Sequence, residues 1–273
     1  MPHTEHSDRL LGWYRQAVRF IIPADCIGCG LPLRDDPIPF FCRRCWNRIV
    51  PTTGPACSRC DLPFASPAAT SRTPDHQCQT CLERPPAYER AWTLYPYLPP
   101  LQDAICSFKY RGKVALAKPL AALMAGALPA GLDADLIVPV PLHPARLRAR
   151  EFNQSLLLAD HLGRLLSRPV SATRLIRILA TDPQTTLTRP ERLRNLRQAF
   201  GVRQPEALAG RRILLVDDVF TTGATLNECA KTLLKSGAAS VCALTLARTM
   251  GTHLVPDRLF AGQAAGSRPV PEV

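Results

Sequence analysis

Eight cysteines arranged as four Cys-x-x-Cys hooks, Cys26/Cys29, Cys42/Cys45, Cys57/Cys60 and Cys78/Cys81, fall within one 56-residue window of this 273-residue chain. Nothing else in the sequence restricts the fold so tightly. The intervals between hooks are 12, 11 and 17 residues. In a reducing compartment disulfides are disfavoured, and thiolates at this spacing converge on a tetrahedral metal instead. Zn²⁺ takes four soft ligands in a closed structural site, and two hooks supply one such site. The eight thiolates therefore predict one or two structural zinc ions. Pairing the first hook with the second and the third with the fourth gives two tandem ribbons, whereas interleaving gives a cross-brace. Shorter loop closure favours the tandem arrangement. An isolated Cys-x-x-Cys can do redox chemistry, but four copies side by side fit that role poorly. His76, two residues before Cys78, is not needed as a ligand. Cys106, Cys229 and Cys242 lie on apolar patterns and read as core.

The rest of the chain divides around this module. An amphipathic stripe over 1–22 (Leu10, Leu11, Tyr14, Ala17, Val18, Ile21) predicts a helix packed on a cysteine-rich module over 23–90. Over 91–250 the pattern alternates. Strands are expected over 92–97, 136–140, 175–179, 213–216 and 241–246, and helices over 101–110, 114–128, 153–166 and 225–236. Strands alternating with helices predict an α/β domain with a mostly parallel sheet covered on both faces. The segment 251–273 has no periodicity and is expected to be a disordered tail. The longest weakly polar stretch, 119–132, is 14 residues and contains Pro129. Spanning a bilayer takes about 20 apolar residues, so no transmembrane segment is expected. Without a signal-peptide core at the N-terminus, the expected location is cytoplasmic.

Charge is unevenly spread. The chain carries 34 basic and 22 acidic residues, a net charge of +12. Between 143 and 212 there are 14 arginines, no lysine and five acids, which places +9 in a quarter of the chain. A GC-rich genome explains arginine in place of lysine, but not the clustering. Such a concentration suits partners that bear phosphate, either nucleotides or nucleic acid.

The segment Ile213-Leu-Leu-Val-Asp-Asp-Val-Phe-Thr-Thr-Gly-Ala-Thr225 carries the sharpest chemistry. Four apolar residues predict a buried strand, with Asp217 and Asp218 placed where it leaves the sheet. The loop Thr221, Thr222, Gly223, Ala224, Thr225 then offers hydroxyls and backbone N–H groups at a helix N-terminus, a setting suited to a phosphate monoester. Carboxylates repel phosphate, so the two acids are expected to accept hydrogen bonds from sugar hydroxyls, as the acid of dinucleotide folds does. Together they ask for a ribose bearing a 5′-phosphate. Neither a P-loop nor a Gly-x-Gly-x-x-Gly motif is present.

This segment closely resembles the 5-phosphoribosyl-1-pyrophosphate (PRPP) signature of type I phosphoribosyltransferases. The resemblance implies a sheet of that kind, acids on the ribose 2′ and 3′ hydroxyls, and the loop on the 5′-phosphate. Further segments, Phe108-Lys-Tyr-Arg-Gly112, Val138-Pro-Val-Pro-Leu-His143, Arg150-Glu-Phe-Asn-Gln154 and Gln184-Thr-Thr-Leu187 leading to Arg192, Asn195 and Phe200, resemble the ComF family. Its members join a zinc-ribbon-like module to a phosphoribosyltransferase domain. The likeness extends from about Leu11 to Met250. It implies a pyrophosphate contact in the loop holding Val140 and Pro141, a basic loop over 181–197 whose Arg189 and Arg192 face the leaving group, and Mg²⁺ bound with PRPP. Lys109 and Arg111 could join this anion site or be surface charges. Glu151 departs from the pattern, where Gly is expected. Three functions follow: a factor in DNA uptake or use that couples PRPP to single-stranded DNA and to uptake machinery, a nucleotide-salvage transferase, or a silent zinc-stabilised binding protein.

Overall fold

The computed structural model describes residues 25–33, 35–64, 75–129, 132–179 and 199–250. The helix expected before residue 23, the basic loop 181–197 with Arg189 and Arg192, and the tail 251–273 lie outside the described residues.

The two halves of the cysteine module repeat one design. In the first, the Cys26 amide donates to the Leu31 carbonyl and the Gly30 amide to the Cys26 carbonyl; in the second, Cys57 donates to Leu62 and Asp61 to Cys57. Both turns close on a residue with positive φ, Gly30 at 73° and Asp61 at 61°. The second hook of each half opens a one-turn helix, α1 (Arg43–Trp46) after Cys42 and α2 (Gln79–Glu83) after Cys78.

The larger domain is a sheet of four parallel strands in the order β1-β6-β5-β2. Its elements run β1 (Arg90–Pro96), α3 (Leu101–Tyr110), a 3₁₀ turn (Val114–Leu116), α4 (Ala117–Gly126), β2 (Leu136–Pro139), α5 (Pro144–Arg150) and α6 (Gln154–Leu166). After the short strands β3 (Leu175–Arg177) and β4 (Phe200–Val202) come β5 (Arg212–Phe220), α7 (Ala224–Lys235) and β6 (Ser240–Arg248). Central β5 pairs on both sides, Leu214 facing Ile137 in β2 and Cys242 in β6. Its run Ile213 to Val216 is fully buried, as a strand covered on both faces requires. One face is covered by α3, α4 and α6, the other by α7.

Two expectations are corrected here. Residues 175–177 do form a strand, but it pairs antiparallel with β4 in a separate two-stranded sheet instead of joining the parallel one. And β5 does not end before the acids. It stays paired with β6 as far as Phe220, opposite Arg248, and it is β2 that stops, at Pro139 opposite Val216.

The cysteine module covers the edge strand β1 and straddles it. Cys26 and Cys45 join the core on the α3 face, while Cys57, Cys60, Cys78 and Cys81 join the core on the α7 face. The module also takes up edge groups of β1: Thr52 N donates to Leu94 O, Ala91 N to Arg59 O, and Thr93 N to Asp61 Oδ2 at 2.7 Å. An open edge strand is a template for unwanted pairing, and this one is sealed within the chain. Among the described residues no helix is long and apolar enough to cross a membrane.

Candidate functional site

Because β2 ends four residues before β5 does, one flank of β5 opens at its C-terminal end, and Asp217 and Asp218 stand there. Val140 follows β2 directly. Its amide donates to Val216 O at 2.9 Å, which holds Val140 and Pro141 beside the acids. Asp217 Oδ1 accepts from Ser155 Oγ at 2.8 Å and from the Asp218 amide at 2.9 Å. Burial, then the neighbouring Asp218 charge, raises the Asp217 pKa to about 7 against the opposing pull of Lys109. Asp218 is 3% exposed, and the Lys109 ammonium lies 2.8 Å from its Oδ2.

Lys109 thus belongs with the acids, and of the two cations weighed for the anion site only Arg111 is exposed, just past the end of α3. The sequence reading missed both Ser155 and this role of Lys109. The signal available was weak, since Ser155 follows the quoted Asn-Gln pair by one residue and Lys109 sits inside a quoted motif.

Beyond the acids, Thr221 and Thr222 are exposed and Gly223 caps the N-terminus of α7 with φ 74°. A Cβ at Gly223 would meet the Phe220 ring at 2.5 Å, so the position needs glycine both for its backbone and for space. The first-turn amides of α7 have no carbonyl partners within the helix. Ala224 N has a long contact of 3.4 Å with Thr222 Oγ1. The five loop residues and the two acids are therefore brought to one end of the sheet, together with Val140 and Pro141. The Phe220 ring is backed by the Arg248 guanidinium at 4.0 Å, and Arg248 Nη2 donates to Cys60 O at 2.6 Å.

The 150–154 motif has a structural role. Asn153 caps α6 by accepting from Ser155 N and Leu156 N, and its Nδ2 donates to Val140 O at 3.1 Å. Phe152 packs on Phe108, with ring centroids 5.7 Å apart. Glu151 ends α5 in the left-handed region at φ 66°, which explains why glycine is the residue expected there.

In the cysteine module the hooks converge as two tandem groups, Cys26, Cys29, Cys42, Cys45 and Cys57, Cys60, Cys78, Cys81, with ligand atoms within 4.8 Å of one another in each. Backbone amides turn toward the sulfurs, Cys42 N to Cys26 Sγ at 3.3 Å and Cys78 N to Cys57 Sγ at 3.2 Å, an arrangement that favours thiolates. The donor set fits tetrahedral zinc. His76 instead packs edge-on against Phe64.

Comparison with known proteins agrees with this geometry. A family model for the phosphoribosyl transferase domain matches residues 153–261, and one for the double zinc ribbon domain matches residues 17–82. The DNA utilization protein YhgH of Escherichia coli K12 is 36% identical over 84% of this chain and 99% of its own length. Competence protein F of Haemophilus influenzae is 34% identical over 63% of this chain and 78% of that protein.

The chain belongs to the ComF family. A more distant member, competence protein ComFC of Bacillus subtilis, is 29% identical over 76% of this chain and 84% of its own length. Among solved structures, a purine phosphoribosyltransferase from Pyrococcus horikoshii covers 52% of the chain at 19% identity, with a TM-score of 0.29 and 75% of that structure matched. The family's two parts, zinc ribbons and phosphoribosyltransferase domain, are the two units of this fold.

Proposed function

We propose that this ComF-family protein binds PRPP, with Mg²⁺ accompanying the pyrophosphate, at the C-terminal end of β5. The observation that carries the reading is the convergence of two carboxylates with the amides of a helix N-terminus across the single turn Phe220 to Gly223. In this reading Asp217 and Asp218 accept the ribose hydroxyls, while the hydroxyls and amides of Thr221, Thr222, Gly223, Ala224 and Thr225 take the 5′-phosphate. Val140 and Pro141 line the pyrophosphate side, where Mg²⁺ would offset the phosphate charge. Arg189 and Arg192 would face the leaving group. Each cysteine cluster would hold one structural zinc ion.

Use of DNA is the cellular setting we infer, with single-stranded DNA and uptake proteins as partners in the cytoplasm. The relatives' names support it, as does the surface beside the site. Tyr110 is 61% exposed, with the Arg150 guanidinium 4.8 Å from its ring, and Arg146 and Arg148 share helix α5 with Arg150. An exposed ring among arginines suits the stacking and phosphate contacts of a single strand.

Calorimetric titration of PRPP with Mg²⁺ into zinc-loaded protein tests the reading, with Asp217→Ala/Asp218→Ala as the control. We expect binding that the double substitution abolishes. Absence of binding by folded wild type would overturn the PRPP site. Pyrophosphate release that depends on an added nucleobase would replace the DNA setting with nucleotide salvage.

A further inference from the structure

The acids at the end of β5 are not alone. Lys109 reaches them from the last turn of α3, a helix fixed in the core by Leu101, Ala104, Ile105 and Phe108. Its ammonium lies 2.8 Å from Asp218 Oδ2, with side chains only 15% and 5% exposed. A pair this buried is not a screened surface contact, and burying two charges is costly unless something requires them. Among the described residues the ammonium is the one side-chain partner of Oδ2, which leaves that buried carboxylate oxygen room for one more donor. A sugar hydroxyl is such a donor. Burial works against the Lys109 ammonium, but Asp218 and then Asp217 carry its pKa above the usual lysine value, so it stays charged.

The charge count points the same way. Two ionised carboxylates side by side would attract a divalent cation, but Lys109 offsets Asp218 and Asp217 is held partly protonated near neutral pH, so the trio carries less than one net negative charge.

We propose that Lys109 is the built-in cation of the ribose subsite: it holds Asp218 in place to accept a ribose hydroxyl, and lets the protein bind a ribose 5-phosphate without a divalent ion. The proposal rests on the ribose-phosphate reading above and adds a positioning residue to it. Mg²⁺ then matters for the pyrophosphate alone.

Titration of ribose 5-phosphate, which has no pyrophosphate, into zinc-loaded protein separates these roles. Wild type, Lys109→Met and Lys109→Arg are compared with and without Mg²⁺, and circular dichroism checks the fold of each. We expect Mg²⁺ to change the wild-type Kd by less than two-fold. Lys109→Met should weaken it at least ten-fold in the absence of Mg²⁺ and regain part of that loss when Mg²⁺ is added. Lys109→Arg should fall between the two, because it keeps the charge. A Lys109→Met Kd equal to wild type overturns the proposal, as does a wild-type Kd that tightens ten-fold with Mg²⁺. The wild-type comparison alone keeps the proposal refutable where Lys109→Met fails to fold. If wild type binds neither ribose 5-phosphate nor PRPP, the ribose-phosphate reading fails and takes this one with it. Binding of both with no effect of Lys109 sinks only the lysine.

Discussion

Asp217 shows what one buried carboxylate does to the protein that carries it. Its ordinary pKa of 3.8 is raised to about 7 by burial and by the Asp218 charge. The folded state therefore keeps a proton that the unfolded chain gives up between about pH 4 and pH 7. Stability from this group is full below pH 4 and is lost as pH rises toward 7 and just beyond. Asn at this position can still accept from Ser155 Oγ and the Asp218 amide, but never ionises. We expect Asp217→Asn to gain on wild type by about 1 kcal/mol between pH 6 and pH 8, one pKa unit being worth about 1.4 kcal/mol. Urea denaturation of the ligand-free, zinc-loaded proteins at the two pH values measures it. A difference that is flat with pH would mean that Asp217 binds no more protons in the folded state than in the unfolded chain over this range. A candidate-site residue that destabilises its own fold is what a trade-off between stability and the proposed binding role would look like at a single position.

Helix α5 shows why some elements were hidden from the sequence and others plain. Its residues Pro144 to Arg150 include no buried side chain, so there is no apolar stripe for a period to reveal. Strands β3 and β4 are three residues each, too short for a pattern to tell which sheet they join. By contrast β5, α7 and the four cysteine hooks were legible, because burial on two faces, a glycine cap and ligand spacing each leave a mark in the sequence. The site was legible where it is contiguous, from Asp217 to Thr225. Ser155 and Lys109 come from helices far along the chain, and only the fold brings them to β5. The end of α5 also yields a prediction. Glu151 holds φ 66° while its amide donates to Leu147 O at 2.7 Å. The left-handed region costs an ordinary residue about 1 kcal/mol relative to glycine. Glu151→Gly should therefore stabilise the protein by about 1 kcal/mol, seen as a higher urea midpoint with an unchanged slope. A lower midpoint would show that the Glu151 side chain contributes more than its backbone costs.

At the scale of the whole molecule the two ribbons are chemically alike but mechanically different. In the first, Cys29 is exposed and Cys42 half-exposed, whereas all four cysteines of the second are buried. The second cluster shares a core with Ala91 of β1, Ile213 of β5 and Leu233 of α7. It also reaches the loop that follows β5, since Arg248 joins Cys60 O to the Phe220 ring against which Gly223 is packed. Metal binding in such modules is folding free energy, so its loss spreads to whatever the module supports. Cys29→Ser should unload the first ribbon and leave the sheet's unfolding free energy within about 1 kcal/mol of wild type. Cys57→Ser should cost about 3 kcal/mol or more, because it opens a metal site built into the sheet's own core. Metal content per chain together with urea denaturation followed by circular dichroism gives both numbers. Equal costs would show that the edge strand β1, which both ribbons cover, transmits the loss of either one alike. A larger cost for Cys57→Ser would place the second ribbon inside the phosphoribosyltransferase core, with the first as its outer cover.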